Sequence, residues 1–349
     1  MRGSSLRPLG GILCLLLYGS LAGSAASAQE DPVQSARGGL VLIPRGNSAR
    51  LEFPDGRFLR IDLPNRGVVS SLAAIPAIND GWVAAGSYSD SAGQRRLFLL
   101  TGDDRSFRKL PEPTGQQEQG RRGPALLVDD NRLVGLGWLE GDGIPSLSVR
   151  AAAWNGQRWQ AVQQVSHPGP GSQLALTGAV LGDGSWLLAW SAFDGTADEI
   201  VWSRRVGQQW LPVSRVSTPN AVPDITPALT ATTGDGALLA WSRYDGHSYQ
   251  LRMARFERGE WRDEHAATPS GALYPAFLGG PDRPRLLYLE ASPRGWSVLD
   301  LDGEGRVRAK ASVSSSSSDR PVVSFAGSGV RMRWPAAKRE GIATLEKVP

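Results

Sequence analysis

Short apolar runs bounded by glycine- and aspartate-containing turns recur along this chain of 349 residues. The sequence Leu-Leu-Ala-Trp-Ser occurs in 183–195 and again in 235–246, each time with Asp-Gly before and after it. Apolar runs of this length between turn signals are typical of β-strands. Farther along, Leu251 and Met253 lie on one face of a predicted strand and Arg252 on the other, which is the period of a strand with two unlike faces.

The runs belong to a repeat with a period of about fifty residues. One column of the repeat is mostly aromatic and consists of Gly86, Trp138, Trp190, Trp241, Tyr288 and Trp334. A second column consists of Trp159, Trp210 and Trp261. Each unit divides into four short strands, for which one unit predicts 227–233, 237–242, 249–256 and 261–266. Four-stranded antiparallel units at this period are typical of β-propeller blades, because each small sheet must bury both faces against its neighbours.

The repeat predicts an all-β protein whose single domain, 38–349, is a six-bladed β-propeller of four-stranded antiparallel blades. Five units follow one another at 67–123, 124–173, 174–226, 227–274 and 275–320. The remaining segments, 38–66 and 321–349, each hold about half a unit. We expect the N-terminal strands to complete the last blade and close the ring, which removes exposed sheet edges. The alternative is a seven-bladed ring in which 38–66 forms a separate, short blade.

The segment 1–28 is predicted to be a secretory signal peptide. Two arginines precede a short apolar run, and Ala-Ser-Ala at 26–28 is a small-residue cleavage site. Residues 29–37 then form a linker to the domain. The chain's one cysteine, Cys14, leaves with the signal, so we expect no disulfide. We therefore expect a secreted or periplasmic protein without stable membrane insertion, since the apolar run is too short to span a bilayer.

The composition narrows the possible partners and cofactors. The 42 glycines and 24 prolines argue against long helices. The 38 basic and 34 acidic residues are interspersed, so the arginine pairs indicate solvated strand faces rather than a polyanion surface, and we expect no nucleic acid partner. The 3 histidines lack the spacing of a zinc site. We expect no cofactor and a monomeric protein.

A degenerate turn motif lies between the predicted third and fourth strands of one unit, where Ser203, Gly207 and Trp210 surround Arg205. It resembles the Asp box, Ser-x-Asp-x-Gly-x-x-Trp, of the sialidase superfamily of six-bladed propellers, with Arg205 in the aspartate position. Sialidases also carry an arginine before Ile-Pro that grips the substrate carboxylate, and the similar segment 73–77 has Ala74 there. Alanine cannot clamp a carboxylate. The resemblance therefore implies the scaffold without the residue most diagnostic of sialic-acid cleavage.

On propellers of this type, the ligand face is built from the turns between second and third strands and from the loops that enter each first strand. Carboxylates, arginines and tyrosines stand at these positions and could converge. The candidate binding residues are Arg122, Asp142, Asp194, Asp224, Arg243, Tyr244, Asp245, Tyr274 and Arg320. Asp194-Gly195 and Asp245-Gly246 are also ordinary hairpin signals, and the sequence leaves both interpretations open.

These observations predict a non-catalytic propeller that binds a protein or glycan of the cell envelope or exterior through its central face. No residue is predicted to be catalytic. The alternative is a divergent sialidase-like glycoside hydrolase or lyase. It would need two carboxylates about 5 Å apart for a retaining reaction or about 6.5 to 9.5 Å apart for an inverting one, or a tyrosine beside a carboxylate. The tryptophan columns are expected to pack between blades. Trp296 lies outside both columns and is the exception.

Overall fold

The computed structural model describes one all-β protein. The described residues are 33–34, 41–45, 48–52, 58–62, 69–76, 82–90, 92–103, 105–113, 119–130, 132–143, 146–216, 220–317, 320–334 and 339–348. The named elements are all β-strands, and this part of the chain contains no helix of the length and hydropathy needed to cross a membrane. The predicted signal peptide lies outside the described residues.

The strands form seven antiparallel sheets in the described part of the chain. Sheet 1 contains β1 (Val33–Gln34), β2 (Val41–Arg45), β3 (Ser48–Glu52) and β4 (Phe58–Asp62). Sheet 2 contains β5 (Val69–Pro76), β6 (Trp82–Ser89), β7 (Arg95–Gly102) and β8 (Phe107–Leu110). Sheet 3 contains β9 (Arg121–Asp129), β10 (Arg132–Glu140), β11 (Ser148–Ala153) and β12 (Gln163–Gln164).

The remaining sheets repeat this order with additions. Sheet 4 contains β13 (Gln173–Val180), β14 (Trp186–Phe193), β15 (Asp198–Val206), β16 (Gln209–Trp210) and β17 (Ser214–Arg215). Sheet 5 contains β18 (Asp224–Ala231), β19 (Ala237–Tyr244), β20 (Tyr249–Glu257) and β21 (Glu260–Ala266). Sheet 6 contains β22 (Ala272–Leu278), β23 (Arg285–Ala291), β24 (Arg294–Leu301) and β25 (Val307–Ser314), and sheet 7 contains β26 (Val322–Ala326), β27 (Gly329–Trp334) and β28 (Arg339–Thr344). The last strand, β29 (Glu346–Lys347), joins sheet 6 beside β25.

The all-β class and the four strands of the repeat unit are confirmed, whereas the count of six blades is not. Strands β2, β3 and β4 hydrogen-bond to one another and to β1, and β26, β27 and β28 form a separate sheet. The two ends of the chain therefore do not share one sheet in the described residues. The physical reason is local: β2 and β3 pair from Val41 to Arg45 across a tight hairpin, so these strands satisfy their own hydrogen bonds.

Consecutive sheets lie against one another. Sheet 1 contacts sheet 2 through β1 and β5, and each of the next sheets contacts its successor through the first strand of the successor. Sheet 6 contacts sheet 7 through β25 and β28, and β26 contacts β1 of the first sheet. Five clusters of buried apolar side chains fill the spaces between neighbouring sheets, from sheet 2 to sheet 7.

The second strand of a sheet is apolar on both faces because both faces are covered. In β14 and β19 the first six residues are all buried, as the shared Leu-Leu-Ala-Trp-Ser sequence requires. The outer strand β21 is mostly exposed. A continuous apolar run thus marks an inner strand between two neighbours, and a polar strand marks the outside of the sheet.

The aromatic columns pack between sheets, as expected. Trp138, Trp190, Trp241, Tyr288 and Trp334 are each at most 3% exposed. Where this column has glycine instead, at Gly86, the buried ring of Phe98 stands directly opposite on β7. The second column is less covered: Trp159 is buried, and Trp210 and Trp261 are half-buried.

Two residues that the sequence singled out belong to this packing. The guanidinium of Arg205, at the Asp-box aspartate position, stacks 4.2 Å from the ring of Trp186, and burial lowers its pKa. Trp296 is 1% exposed and packs with side chains of sheets 6 and 7, including Met332. Trp296 is therefore a core residue and not an exception to the packing role.

Close packing between sheets predicts a strict requirement for glycine at position 135. A Cβ at Gly135 would lie 2.5 Å from Cη2 of Trp186 on the neighbouring sheet and 3.1 Å from the carbonyl oxygen of Ala152. We expect Gly135→Ala to lower the free energy of unfolding by about 1–3 kcal/mol, because the indole must shift within a filled core. Gly280→Ala is the matched control, since a Cβ there meets no atom within 4 Å. Equal urea midpoints for the two variants would contradict this packing.

Candidate functional site

Every predicted binding residue lies at the same end of the sheets. At this end, which we call the upper end, the turn after the second strand meets the connection that enters the first strand. A backbone N–H at the end of the second strand, or directly after it, donates to a carbonyl before the first strand in four sheets: Gly141 to Gly120, Phe193 to Ser172, Tyr244 to Pro223, and Ala291 to Gly271, at 2.7–3.0 Å. The strand order thus gathers the two sets of loops that the sequence analysis selected.

A β-bulge recurs near the upper end of the first strands of sheets 3 to 6. The residue in the bulge has a positive φ: 59° at Gly123, 54° at Ala175, 53° at Thr226 and 55° at Tyr274. For residues other than glycine, this conformation costs about 1 kcal/mol or more. Ser242 supports two of the bulges, since its hydroxyl lies 2.9 Å from that of Thr226 and accepts a 3.2 Å hydrogen bond from the Tyr274 N–H.

Asp194 and Asp245 cap hairpin turns. Oδ1 of Asp194 accepts hydrogen bonds from the backbone N–H groups of the second and third residues after it, and Oδ1 of Asp245 does the same. The following residues, Gly195 and Gly246, have φ of 106° and 97°. The N–H donors lower the pKa of Asp245. At Asp194 burial raises the pKa, but the N–H donors and Arg215 lower it by more, so the pKa of Asp194 is also below its usual value. The turn interpretation of both residues is therefore confirmed.

Asp224 and Arg243 form a buried ion pair. Nε and Nη2 of Arg243 donate to the two carboxylate oxygens of Asp224 at 2.7 and 2.6 Å. Asp224 is fully buried, and Arg243 also donates to Glu264 at 2.7 Å. Burial lowers the pKa of Arg243, but the carboxylates of Asp224 and Glu264 raise it by a larger amount, so the pKa lies above its usual value. The structure thus brings together one acid and one base of the predicted set, as mutual partners.

The other predicted residues occupy separate positions along the upper end. Arg122 donates from Nη2 to the Gly141 carbonyl at 3.2 Å, and burial, together with Arg95, lowers its pKa. Asp142 is exposed in the turn that follows. The Tyr244 hydroxyl donates to the carbonyl of its own turn at 2.9 Å. Arg320 is half-buried directly before β26.

A second buried carboxylate, Glu199, lies between sheets 4 and 5. Its side chain is 1% exposed, Oε1 accepts a 3.2 Å hydrogen bond from the Asn220 N–H, and Arg215 is 3.7 Å away. No described group hydrogen-bonds to Oε2. Burial raises the pKa of Glu199, and the charge of Asp224 adds to this effect.

An open cleft lies at the upper end between sheets 2 and 3. Its volume is about 660 Å³, within the range of small-molecule sites. The cleft is lined by Tyr88, Asp90, Arg96, Lys109, Leu110, Pro111, Glu112 and Arg121. Most of these side chains are polar, and three are cationic, so the cleft suits a ligand with hydroxyl or anionic groups.

Arg121 belongs to a buried charged group beneath the cleft. Its side chain is 5% exposed, and its Nε donates to Glu140 at 3.0 Å. The same carboxylate accepts a hydrogen bond from Nε1 of Trp138 at 3.1 Å and lies 3.2 Å from Nε of Arg150. Nη1 of Arg121 donates to the Pro113 carbonyl, and Nη2 has no hydrogen-bond partner among the described residues. Two arginines thus share one carboxylate.

Tyr88 and Glu112, which both line the cleft, have raised pKa values. Burial raises the pKa of Glu112 above its usual range, against the opposing charges of Lys109 and Arg121. Burial also raises the pKa of Tyr88, and the negative charge of Glu112 adds to this effect. Both side chains are therefore held toward their neutral, hydrogen-donating forms.

The sequence analysis did not select Tyr88, Glu112 or Arg121. The repeat contains a signal for part of the cleft, two positions after each residue of the aromatic column. In the first five units these positions are Tyr88, Glu140, Ala192, Arg243 and Glu290. In the structure, these positions receive hydrogen bonds from the aromatic column, at Glu140 from the Trp138 N–H and at Glu290 from the Tyr288 hydroxyl. Among the described residues, no three His, Cys, Asp or Glu side chains are grouped to hold a metal ion.

Comparison with known proteins supports the fold and no family. No protein-family model and no curated protein matches the chain. Its structure is similar to a protein of unknown function from Dyadobacter fermentans (TM-score 0.56, 13% identity, 91% of this chain and 98% of that one) and to the polysaccharide lyase Uly1 (0.53, 10%, 90% and 90%). It is also similar to a puromycin-hydrolysing peptidase of Mycobacterium tuberculosis (0.53, 15%, 94% of this chain and 55% of that one). These proteins have different activities, so the likeness concerns the propeller-type fold alone.

The buried ion pair predicts a large effect of removing one partner. In Arg243→Gln the carboxylate of Asp224 stays buried without its cation, and we expect the free energy of unfolding to fall by about 3–5 kcal/mol. Arg262→Gln in the same sheet removes an exposed pair with Glu260 and should cost less than about 1 kcal/mol. Chemical denaturation of both variants measures the difference. A loss at Arg243 no larger than at Arg262 would show that the pair does not stabilise the fold.

Glu199 predicts a stability difference that depends on pH. The pKa of Glu199 is higher in the folded chain than in the unfolded chain. Its contribution to the free energy of unfolding is therefore fully present below the unfolded pKa and is lost as the pH rises through the folded pKa. Gln stays neutral at every pH. The free energy of unfolding of Glu199→Gln minus that of wild type should therefore increase over this window and then level off. Urea denaturation at constant ionic strength from about pH 4 to 8 tests this, and a constant difference would refute it.

Proposed function

We propose that this protein is a non-catalytic propeller that binds a glycan at the upper end of its sheets, with the cleft between sheets 2 and 3 as the main contact. The open, polar cleft is the observation that carries the proposal. The predicted binding residues remain candidate contacts along the same end. In this proposal, the seven described sheets are the blades of one ring, and β1 meets β26 where the ring closes.

The size and chemistry of the cleft favour a glycan over a protein partner. A stable protein interface buries about 800 Å² on each side and has an apolar centre. The cleft holds a few hundred cubic ångströms and is walled by charged side chains and Tyr88. Sugar hydroxyls match such donors and acceptors, and a tyrosine ring offers an apolar face to a pyranose. That the polysaccharide lyase Uly1 has a similar fold is in keeping with this choice.

The roles of the predicted carboxylates support binding rather than hydrolysis. Asp194 and Asp245 cap turns of different sheets, and Asp224 is fully buried with its oxygens engaged by Arg243. A glycosidase needs two carboxyl groups that face one sugar, one as acid and one as base or nucleophile. Groups that already hold the backbone and each other are poorly suited to that task.

A lyase or hydrolase is the second candidate, because Tyr88 and Glu112 line one cleft and both have raised pKa values. A tyrosine beside a carboxyl group can exchange protons with a bound sugar. We further propose that the chain is secreted or periplasmic after cleavage near Ala28 and acts as a monomer on glycans of the envelope or exterior.

Binding to immobilised neutral and acidic polysaccharides tests the proposal, with the supernatant assayed for released products. We expect binding to at least one polysaccharide without product. Arg96→Gln should weaken it about threefold or more by removing a cation of the cleft, and Arg262→Gln, remote on β21, should leave it unchanged.

Two results would overturn the proposal in different ways. Product release that is lost in both Tyr88→Phe and Glu112→Gln would establish the second candidate. Failure to bind any polysaccharide, with capture of a purified envelope protein instead, would exclude the glycan function.

A further inference from the structure

We infer that the cleft between sheets 2 and 3 is an oxyanion site, and that its ligand is the carboxylate or sulfate group of an acidic sugar. This inference rests on the proposed function and names its ligand. Lys109 and Arg96 are the cations at the cleft surface, and Arg121 supplies positive charge from beneath it.

Positive charges outnumber negative charges around the cleft. The side chains that line it, together with Glu140 and Arg150 beneath it, comprise one more cation than anion: Arg96, Lys109, Arg121 and Arg150 against Asp90, Glu112 and Glu140. The excess is concentrated at Glu140, whose carboxylate faces two arginines. Unbalanced charge near a half-buried surface is costly, and an anion placed in the cleft would offset it.

Arg121 also has unused hydrogen-bonding capacity. The backbone of Pro113 and the carboxylate of Glu140 take two of its nitrogens, and the third, Nη2, is buried and has no hydrogen-bond partner in the described part of the chain. An oxyanion in the cleft therefore meets Lys109 and Arg96 at the surface and the positive charge of Arg121 beneath them.

Glu112 is one of the two acidic residues that line the cleft, beside Asp90. Burial holds its pKa above the usual range, while Lys109, Arg121 and Arg96 oppose that effect and Tyr88 and Asp90 complete its surroundings. When Glu112 is ionised, it competes with a bound anion for the same cations. As the pH falls through its pKa, the carboxyl group becomes neutral and the cleft gains one unit of net positive charge. Anion binding should therefore strengthen toward acid pH.

Isothermal titration calorimetry of the full chain with glucose 6-sulfate, sodium glucuronate and glucose tests the inference. We expect both anions to bind and glucose to bind more weakly. Lys109→Gln should weaken anion binding about fivefold, while Arg108→Gln, the adjacent cation on the opposite face of β8, should change it less than twofold. Both anions stay ionised from about pH 5 to 7, so their relative affinities show which oxyanion the cleft prefers.

The pH dependence separates a binding role from a structural one. Affinity for glucose 6-sulfate should rise from about pH 7 to 5 in wild type and stay constant in Glu112→Gln. Equal affinity for glucose and the two anions, or equal losses in Lys109→Gln and Arg108→Gln, would overturn the oxyanion site. If neutral polysaccharides still bind the chain in that case, the proposed glycan function stands and only its acidic ligand is excluded.

Discussion

Each sheet must cover both faces with its neighbours, and the rest of the structure depends on this constraint. A sheet of four short strands has too little surface to form a core of its own. Trp138, Trp190 and Trp241 fill the spaces between sheets, and Gly135 leaves room for Trp186 to reach across. Since every sheet supports its neighbours, the inner strands are apolar on both faces, and charged side chains lie at the strand ends and on the outer strands.

Many of these charged residues lie at the upper end of the sheets. Bulges at Thr226 and Tyr274 turn the first strands as they leave the core, and turn-capping aspartates close the hairpins. Charges that the packing still buries are matched locally, as in the pair of Asp224 and Arg243. Two arginines share the carboxylate of Glu140, and Arg243 and Arg252 likewise share that of Glu264. The group around Glu140 differs because it lies beside an open cleft, which distinguishes this part of the upper end from the rest.

Sheet 2 departs from the repeat where the cleft forms. Gly86 replaces the aromatic residue of its column, and Phe98 on the opposite strand supplies the ring. Two residues later Tyr88 stands at the position that carries Glu140 and Arg243 in other sheets, and it lines the cleft. The cleft thus lies beside the sheet whose aromatic column departs from the repeat.

The sequence by itself determined the all-β class, the strand positions and the packing role of the tryptophan columns, because these depend on local periodicity and turn chemistry. The turn role of Asp245 follows from the same local rules. Tertiary structure alone decided the number of sheets, because whether β2, β3 and β4 pair with one another or with the last strands depends on contacts across the whole chain. It also decided which side chains form the cleft: Arg121 and Glu140 are register partners within one hairpin, but Tyr88 and Arg121 line one cleft only because sheets 2 and 3 approach each other. Contacts between sheets leave no local pattern in the chain.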